Sequence, residues 1–160
     1  MLLFHGSNVA VREPRIIITN RALDFGPGFY TTSDKEQAVR WAKLQTFRRR
    51  EGVPTVTVYD YTAEEAEKLF VRHFYGPGKE WLEYVVMNRK NAYSGKKYDI
   101  VTGPVANDST MAVINDYMSG NINAETALLL LKPQKLTDQF AFLTWKGLST
   151  LTCLEVEQYE

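Results

Sequence analysis

Gly26-Pro27-Gly28-Phe29-Tyr30-Thr31-Thr32, preceded about twenty residues upstream by Phe4-His5-Gly6-Ser7, is the stretch on which the reading of this chain turns. The upstream segment places a histidine at the end of a short apolar run, followed by a glycine whose missing side chain lets a ligand approach the backbone. The downstream segment sets aromatic rings beside two glycines, which suits stacking on a flat heterocycle. A dinucleotide fingerprint of the Rossmann type is excluded, because its third glycine and a helix opening directly on the loop are both missing.

Working outward, Ser33 precedes Glu36 by three residues, a capping-box spacing that predicts a helix with Ala38, Trp41, Ala42 and Gln45 on one face. Gly52 and Pro54 end it. Residues 2–4, 15–18 and 55–61 read as strands from their β-branched and aromatic content, the last with Val56 and Val58 alternating against Thr57 and Tyr59. Apolar stripes predict helices around Trp81, Tyr84 and Val85, around Met111, Ile114 and Met118, and over 124–131 before Pro133. Residues 139–144 and 152–158 alternate as half-buried strands do. Glycine turns are expected at 76–78 and 103–104. Strands and helices do not alternate regularly and no internal repeat is present, which favours α+β over a doubly wound parallel sheet.

A chain of 160 residues with 44% apolar and 24% charged content supports one domain, residues 1–160, with its own core. Lysine plus arginine equals aspartate plus glutamate at 19 each, so no global positive field draws the protein to nucleic acid or anionic membrane, although a local patch stays open. The lone Cys153 rules out an internal disulfide framework. No leader-like start and no apolar run of about 18 residues is present, so a cytoplasmic protein without a membrane partner is expected. There is no Cys-x-x-Cys, His-x-x-x-His or Gly-x-Ser-x-Gly, so zinc hydrolysis and serine-esterase chemistry lack their parts and no metal is expected.

His-Gly-Ser at the end of a first strand, followed by Gly-x-Gly-x-Tyr, resembles the histidine-tyrosine class of ADP-ribosyltransferases, the group that includes diphtheria toxin and the poly-ADP-ribose polymerases. Nearly end to end, the chain also resembles a bacterial family of unknown-function proteins placed in that superfamily. The blocks carrying this likeness are residues 24–32, residues 98–105 and Asp138-Gln139-Phe140. The resemblance implies a split β-sandwich of two mostly antiparallel sheets with flanking helices and the cofactor in the cleft between them. It implies NAD as co-substrate, held by His5, Gly6, Ser7, Gly28, Tyr30 and Trp41, with His5, Tyr30 and Gln139 as the catalytic set.

Within that resemblance His5 hydrogen-bonds a ribose hydroxyl on the adenosine side, the Gly6 backbone pairs with the nicotinamide carboxamide, and Tyr30 stacks on the nicotinamide ring. Trp41, eleven residues beyond Tyr30, is the candidate for the other side of that sandwich. Where the polymerases carry a carboxamide-binding serine this chain has Ala38. Gln139 stands where well-studied members carry glutamate. A glutamine accepts a hydrogen bond from a ribose hydroxyl, but it supplies no full negative charge and cannot serve as a base for chain growth. Transfer of a single ADP-ribose is therefore favoured over polymer formation, and Gln139→Glu would restore the charge opposite the developing cation.

Simpler roles stand beside these. Tyr30 and Trp41 suit a core as well as a cleft, and Gln139 taken alone reads as a solvent-facing strand residue. Arg48, Arg49 and Arg50 suit a solvated helix end or contact with a pyrophosphate. Asp99, Asn107 and Asp108 suit turns or the cleft wall. The function expected is mono-ADP-ribosyl transfer to a protein or nucleic-acid acceptor, with a toxin or effector role and a small neutralising partner implied by the resemblance. The alternatives are a dinucleotide glycohydrolase, a non-catalytic binding module, and a ribonuclease using His5 and His73 as acid and base.

Overall fold

The structure is a computed structural model that describes residues 1–18 and 23–160. Its organising strand is β3 (Thr55–Tyr61), which is buried on both faces at every position except Asp60. A run of β-branched and aromatic residues suits that double burial. β3 pairs antiparallel with β1 (Leu2–Ser7) on one side and β7 (Leu151–Gln158) on the other, giving a first sheet β1-β3-β7. The second sheet has the order β2-β6-β5-β4, built from β2 (Phe29–Thr31), β6 (Asp138–Phe142), β5 (Ile100–Pro104) and β4 (Val71–His73). Its pairs are antiparallel except β4 with β5. The described helices are α1 (Lys35–Arg49), α2 (Ala63–Ala66), α3 (Lys79–Arg89), α4 (Asp108–Met118), α5 (Ala124–Leu131) and α6 (Trp145–Leu148).

Four layers result. Leu3, Tyr59 and Tyr61 of the first sheet meet Phe29, Ile100 and Phe142 of the second, forming the inter-sheet core. α1 covers the opposite face of the first sheet, laying Ala38 and Ala42 on Phe4, Val56 and Val58. The far face of the second sheet, represented by Val101 and Ala141, is covered by Trp81, Leu82 and Val85 of α3, Ile114 of α4, and Ala127 and Leu131 of α5. This is an α+β fold of two mostly antiparallel sheets with flanking helices. No described helix is long and apolar enough to cross a membrane.

Several expectations need correction. Residues 15–18 form no strand, and Ile17 and Ile18 are exposed. Ser33 does not cap α1. Asp34 does, its carboxylate accepting the Gln37 N–H at 3.1 Å, while Ser33 gives its N–H (2.8 Å) and its hydroxyl to the carboxylate of Asp138 on β6. Gly103-Pro104 is the end of β5 and not a turn. A Cβ on Gly103 would stand 2.9 Å from the Cβ of Phe74 and 3.3 Å from Phe25, so packing demands the glycine there.

Gly6 also has a packing reason. A Cβ at this position would lie 2.0 Å from the Ala38 carbonyl oxygen, so the close seat of α1 on β1 depends on its absence. Gly6→Ala is expected to push α1 outward and cost about 2 kcal/mol, as overpacking does. Urea denaturation checks this, and an unchanged midpoint would show that α1 shifts without cost.

Candidate functional site

β1 forms an isolated bridge with the residue just after β2, where the Phe4 N–H reaches the Thr32 carbonyl at 2.8 Å and the Thr32 N–H reaches the Phe4 carbonyl at 2.9 Å. In a strand, alternate residues turn both backbone groups to the same side. Phe4 points toward β2, so Gly6 does too. Gly6 lies past the bridge, and among the described residues no further bridge pairs it with β2. Gly6 thus stands at the edge of a cleft of about 330 Å³, which it lines.

That cleft is lined by His5, Gly6, Asp24, Tyr30, Trp41, Leu44, Gln45, Arg48, Arg89 and Gln139, among others. The His5 ring stacks on Phe29 at 4.3 Å between centroids and donates Nδ1–H to the Tyr30 carbonyl at 2.7 Å. A carbonyl only accepts, so the proton sits on Nδ1 and Nε2 remains an acceptor. Burial holds the imidazole neutral, pulling its pKa from 6.5 down to about 4 against the opposing pull of the Tyr30 hydrogen bond. The folded state therefore binds a proton less readily than the unfolded chain. This contribution to stability is complete above about pH 6.5 and is lost as pH falls toward 4. The loss is expected to be at most about 3 kcal/mol, reduced by water reaching the cleft edge of the ring. His5→Gln should flatten the stability profile between these two pH values, and denaturant titrations across the range check it.

Tyr30 is fixed at its tip. Its hydroxyl donates to the Gly26 carbonyl at 2.6 Å and accepts the Phe25 N–H at 2.9 Å, closing the turn in which Gly26 takes φ of 88°. Burial raises the phenol pKa well above its ordinary value, so the ring is neutral. Tyr30 is half-buried and presents part of its ring to the cleft. Trp41 is half-buried as well and belongs to no core cluster, so of the two roles open to it the structure takes the cleft wall. Two turns on, Arg48 faces the same cleft, whereas Arg49 donates to the Asn8 side chain at 2.9 Å and Arg50 is the left-handed cap of α1.

Gln139 is buried, contrary to the solvent-facing reading of its strand position. Its Nε2 donates to Asp24 Oδ2 at 2.9 Å and to the Pro104 carbonyl at 3.3 Å. Both partners only accept, so the amide orientation is set by the network and Oε1 points away from them. Among the described residues no hydrogen bond reaches Oε1. Asp24 further accepts the Ala106 N–H at 3.1 Å and pairs with Arg89, whose Nε lies 2.8 Å from Oδ1. The carboxylate at the cleft floor is thus compensated by a guanidinium and two N–H donors.

His5, Gly6, Tyr30, Trp41, Arg48 and Gln139 come together here from two sheets and a helix, and the remaining candidates do not. Ser7 is buried and turns to Asn8, and Gly28 packs against β6, where a Cβ would meet the Phe142 carbonyl at 2.7 Å. Asp99 bonds the Phe70 N–H and the Thr144 hydroxyl, and Asn107 caps α4. His73 sits on β4, at the opposite edge of the second sheet from β2, and bonds Thr102, so it forms no acid-base pair with His5. Ala38 is buried beneath Gly6. Asp24 and Arg89 escaped the sequence reading. Asp24 heads the block 24–32 but looks like a turn residue, and Arg89 looks like a helix-end cation.

The chain belongs to the family described as protein of unknown function DUF3990, whose profile matches residues 1–153. No curated protein matches it.

Proposed function

We propose that this protein is a mono-ADP-ribosyltransferase that takes NAD+ as donor, releases nicotinamide and modifies a macromolecular acceptor. The observation that carries the reading is the cleft itself. Five residues that the resemblance names, His5, Gly6, Tyr30, Trp41 and Gln139, scattered over more than a hundred positions of sequence, line one cavity of about 330 Å³, within the range of small-molecule sites. The backbone of Gly6 at the cleft edge carries the one donor and one acceptor that a primary carboxamide needs. Nε2 of His5 suits a ribose hydroxyl, the rings of Tyr30 and Trp41 suit a flat base, and Arg48 suits a pyrophosphate.

In the reaction, the bond between C1′ of the nicotinamide ribose and the ring nitrogen breaks, its electron pair leaving with neutral nicotinamide. The acceptor nucleophile bonds to C1′ and loses its proton. Positive charge builds on the ribose between these events. Gln139 Oε1, held toward the cleft by the bonds of its amide nitrogen, is the acceptor for the 2′-hydroxyl of that ribose, and fixed geometry provides most of the acceleration. No carboxylate is placed to deprotonate a ribose hydroxyl for chain growth in this scheme, so a single transfer ends the reaction.

A non-catalytic dinucleotide-binding module is the second reading. It draws on one observation: the carboxylate nearest Gln139 is already committed to Arg89. The deciding experiment incubates the purified protein with labelled NAD+ and whole-cell lysate and separates protein, nucleic acid and free products. Label in a macromolecule supports the transferase. Free ADP-ribose alone assigns a glycohydrolase, and saturable binding with no turnover assigns the binding module.

A further inference from the structure

A second cavity of about 380 Å³ adjoins the cleft. Its wall includes Pro27, Tyr84, Asn91, Tyr93, Lys97 and Tyr98. The two linings meet along the chain at two places. Asp24 and Arg89 face the donor cleft, while their neighbours Phe25 and Asn88 line this second cavity. Tyr93 and Tyr98 are half-buried and stand at steep angles to Tyr84, at 4.9 and 6.3 Å between centroids, each leaving ring surface on the cavity.

The loop that frames this cavity is basic, although the chain as a whole is neutral. Between Glu83 and Asp99 the sequence carries Arg89, Lys90, Lys96 and Lys97 and no acidic residue. Arg89 is held by Asp24. Asp99 turns inward to Phe70 and Thr144. Lys90, Lys96 and Lys97 are exposed, and among the described residues none has an acidic partner; Lys96 rests over the Phe70 ring at 4.2 Å. Flat rings interleaved with uncompensated ammonium groups fit a ligand that alternates flat rings with phosphates. An acidic peptide would use the lysines and leave the tyrosines unmatched. A duplex would meet the phosphate requirement, but its stacked bases could not enter the cavity.

We propose that the tyrosine cavity and lysine loop seat an unpaired nucleotide of single-stranded nucleic acid, as the acceptor site beside the donor cleft. Its role as acceptor rests on the transferase reading; the binding does not. The test measures anisotropy of a labelled, mixed-sequence single-stranded oligonucleotide with the whole chain, over a range of salt. Wild type is expected to prefer the single strand to the corresponding duplex and to an acidic peptide of equal charge. Tyr93→Ala should weaken binding about tenfold, as loss of one stacking platform does, and Tyr93→Phe should preserve it. Lys96→Gln with Lys97→Gln should lower the magnitude of the log–log salt slope by about 1.4, from two lost phosphate contacts.

Should Tyr93→Ala fail to fold, the surface lysine pair decides the matter alone. No binding by wild type, equal or tighter binding of the duplex or the peptide, or an unchanged salt slope in the lysine variant overturns the proposal. Calorimetry with NAD+ on the same preparations keeps the two readings apart. NAD+ binding without oligonucleotide binding overturns this inference alone, whereas oligonucleotide binding without NAD+ binding upholds the seat and overturns the donor reading.

Discussion

Gln139→Glu is expected to destabilise the protein by about 3 kcal/mol or more at neutral pH, and to fall short of a gain in activity. The sequence alone suggests the opposite, since glutamate would return the charge that the resembling enzymes carry. In the folded protein, however, Nε2 of Gln139 lies 2.9 Å from Asp24 Oδ2 and 3.3 Å from the Pro104 carbonyl. A carboxylate of the same shape would aim an acceptor at two acceptors. Two carboxylates at that separation cannot both ionise, so one would take up a proton or swing away from the cleft floor.

The pH dependence follows from the sign of that shift. The protonated carboxyl of the variant would have a folded pKa above its unfolded value, so the penalty is small below about pH 4 and grows as pH rises through the folded pKa. Exchanging the two charges, Asp24→Asn with Gln139→Glu, should recover a large part of the loss, because an amide again faces a carboxylate. Urea titrations of the three variants at two pH values measure the coupling. A Gln139→Glu protein as stable as wild type at neutral pH would remove the Asp24–Gln139 pairing from the account.

This pairing also marks where the sequence stops being informative. The strand at 55–61 was legible because its β-branched residues are buried on both faces of a central strand, and the helix at 124–131 because its apolar run stops short of Pro133; its cap, Asn123, shows only in the fold. β2 and β4 are three residues each and exist only because longer neighbours pair with them, so no local periodicity announces them. Ser33 and Asp34 are both good caps, and the choice fell to Asp138, more than a hundred residues away, which claims Ser33. Gly6 and Gly28 were expected to admit a ligand. Both in fact admit neighbouring protein backbone, and Gly6 also lines the cleft. His5, Tyr30 and Gln139 could be named from their motifs. The Asp24 and Arg89 that hold Gln139 could not, since 115 residues separate Asp24 from Gln139 and nothing local couples them.

Gln139→Ala is expected to lower kcat by about a hundredfold to a thousandfold, the usual cost of removing one preorganised group that acts on developing charge, while changing the affinity for NAD+ little. The amide has two ends with separable duties. Nε2 serves the fold through Asp24 and Pro104, and Oε1 serves the ribose hydroxyl, whose hydrogen bond strengthens as the sugar becomes cationic. Losing the first end should cost stability of about 1–3 kcal/mol by leaving Asp24 short of a donor. Losing the second should appear only in turnover. Gln139→Met, similar in volume but without either polar end, controls for the cavity that alanine opens. The measurement is nicotinamide release under saturating NAD+, with KM and kcat resolved and corrected for the folded fraction of each variant. A lower kcat at unchanged KM in both variants assigns Oε1 to the transition state. Reduced stability with wild-type kcat per folded molecule would instead leave Gln139 as a structural partner of Asp24 and move the stabilisation of the ribose cation to another group of the cleft.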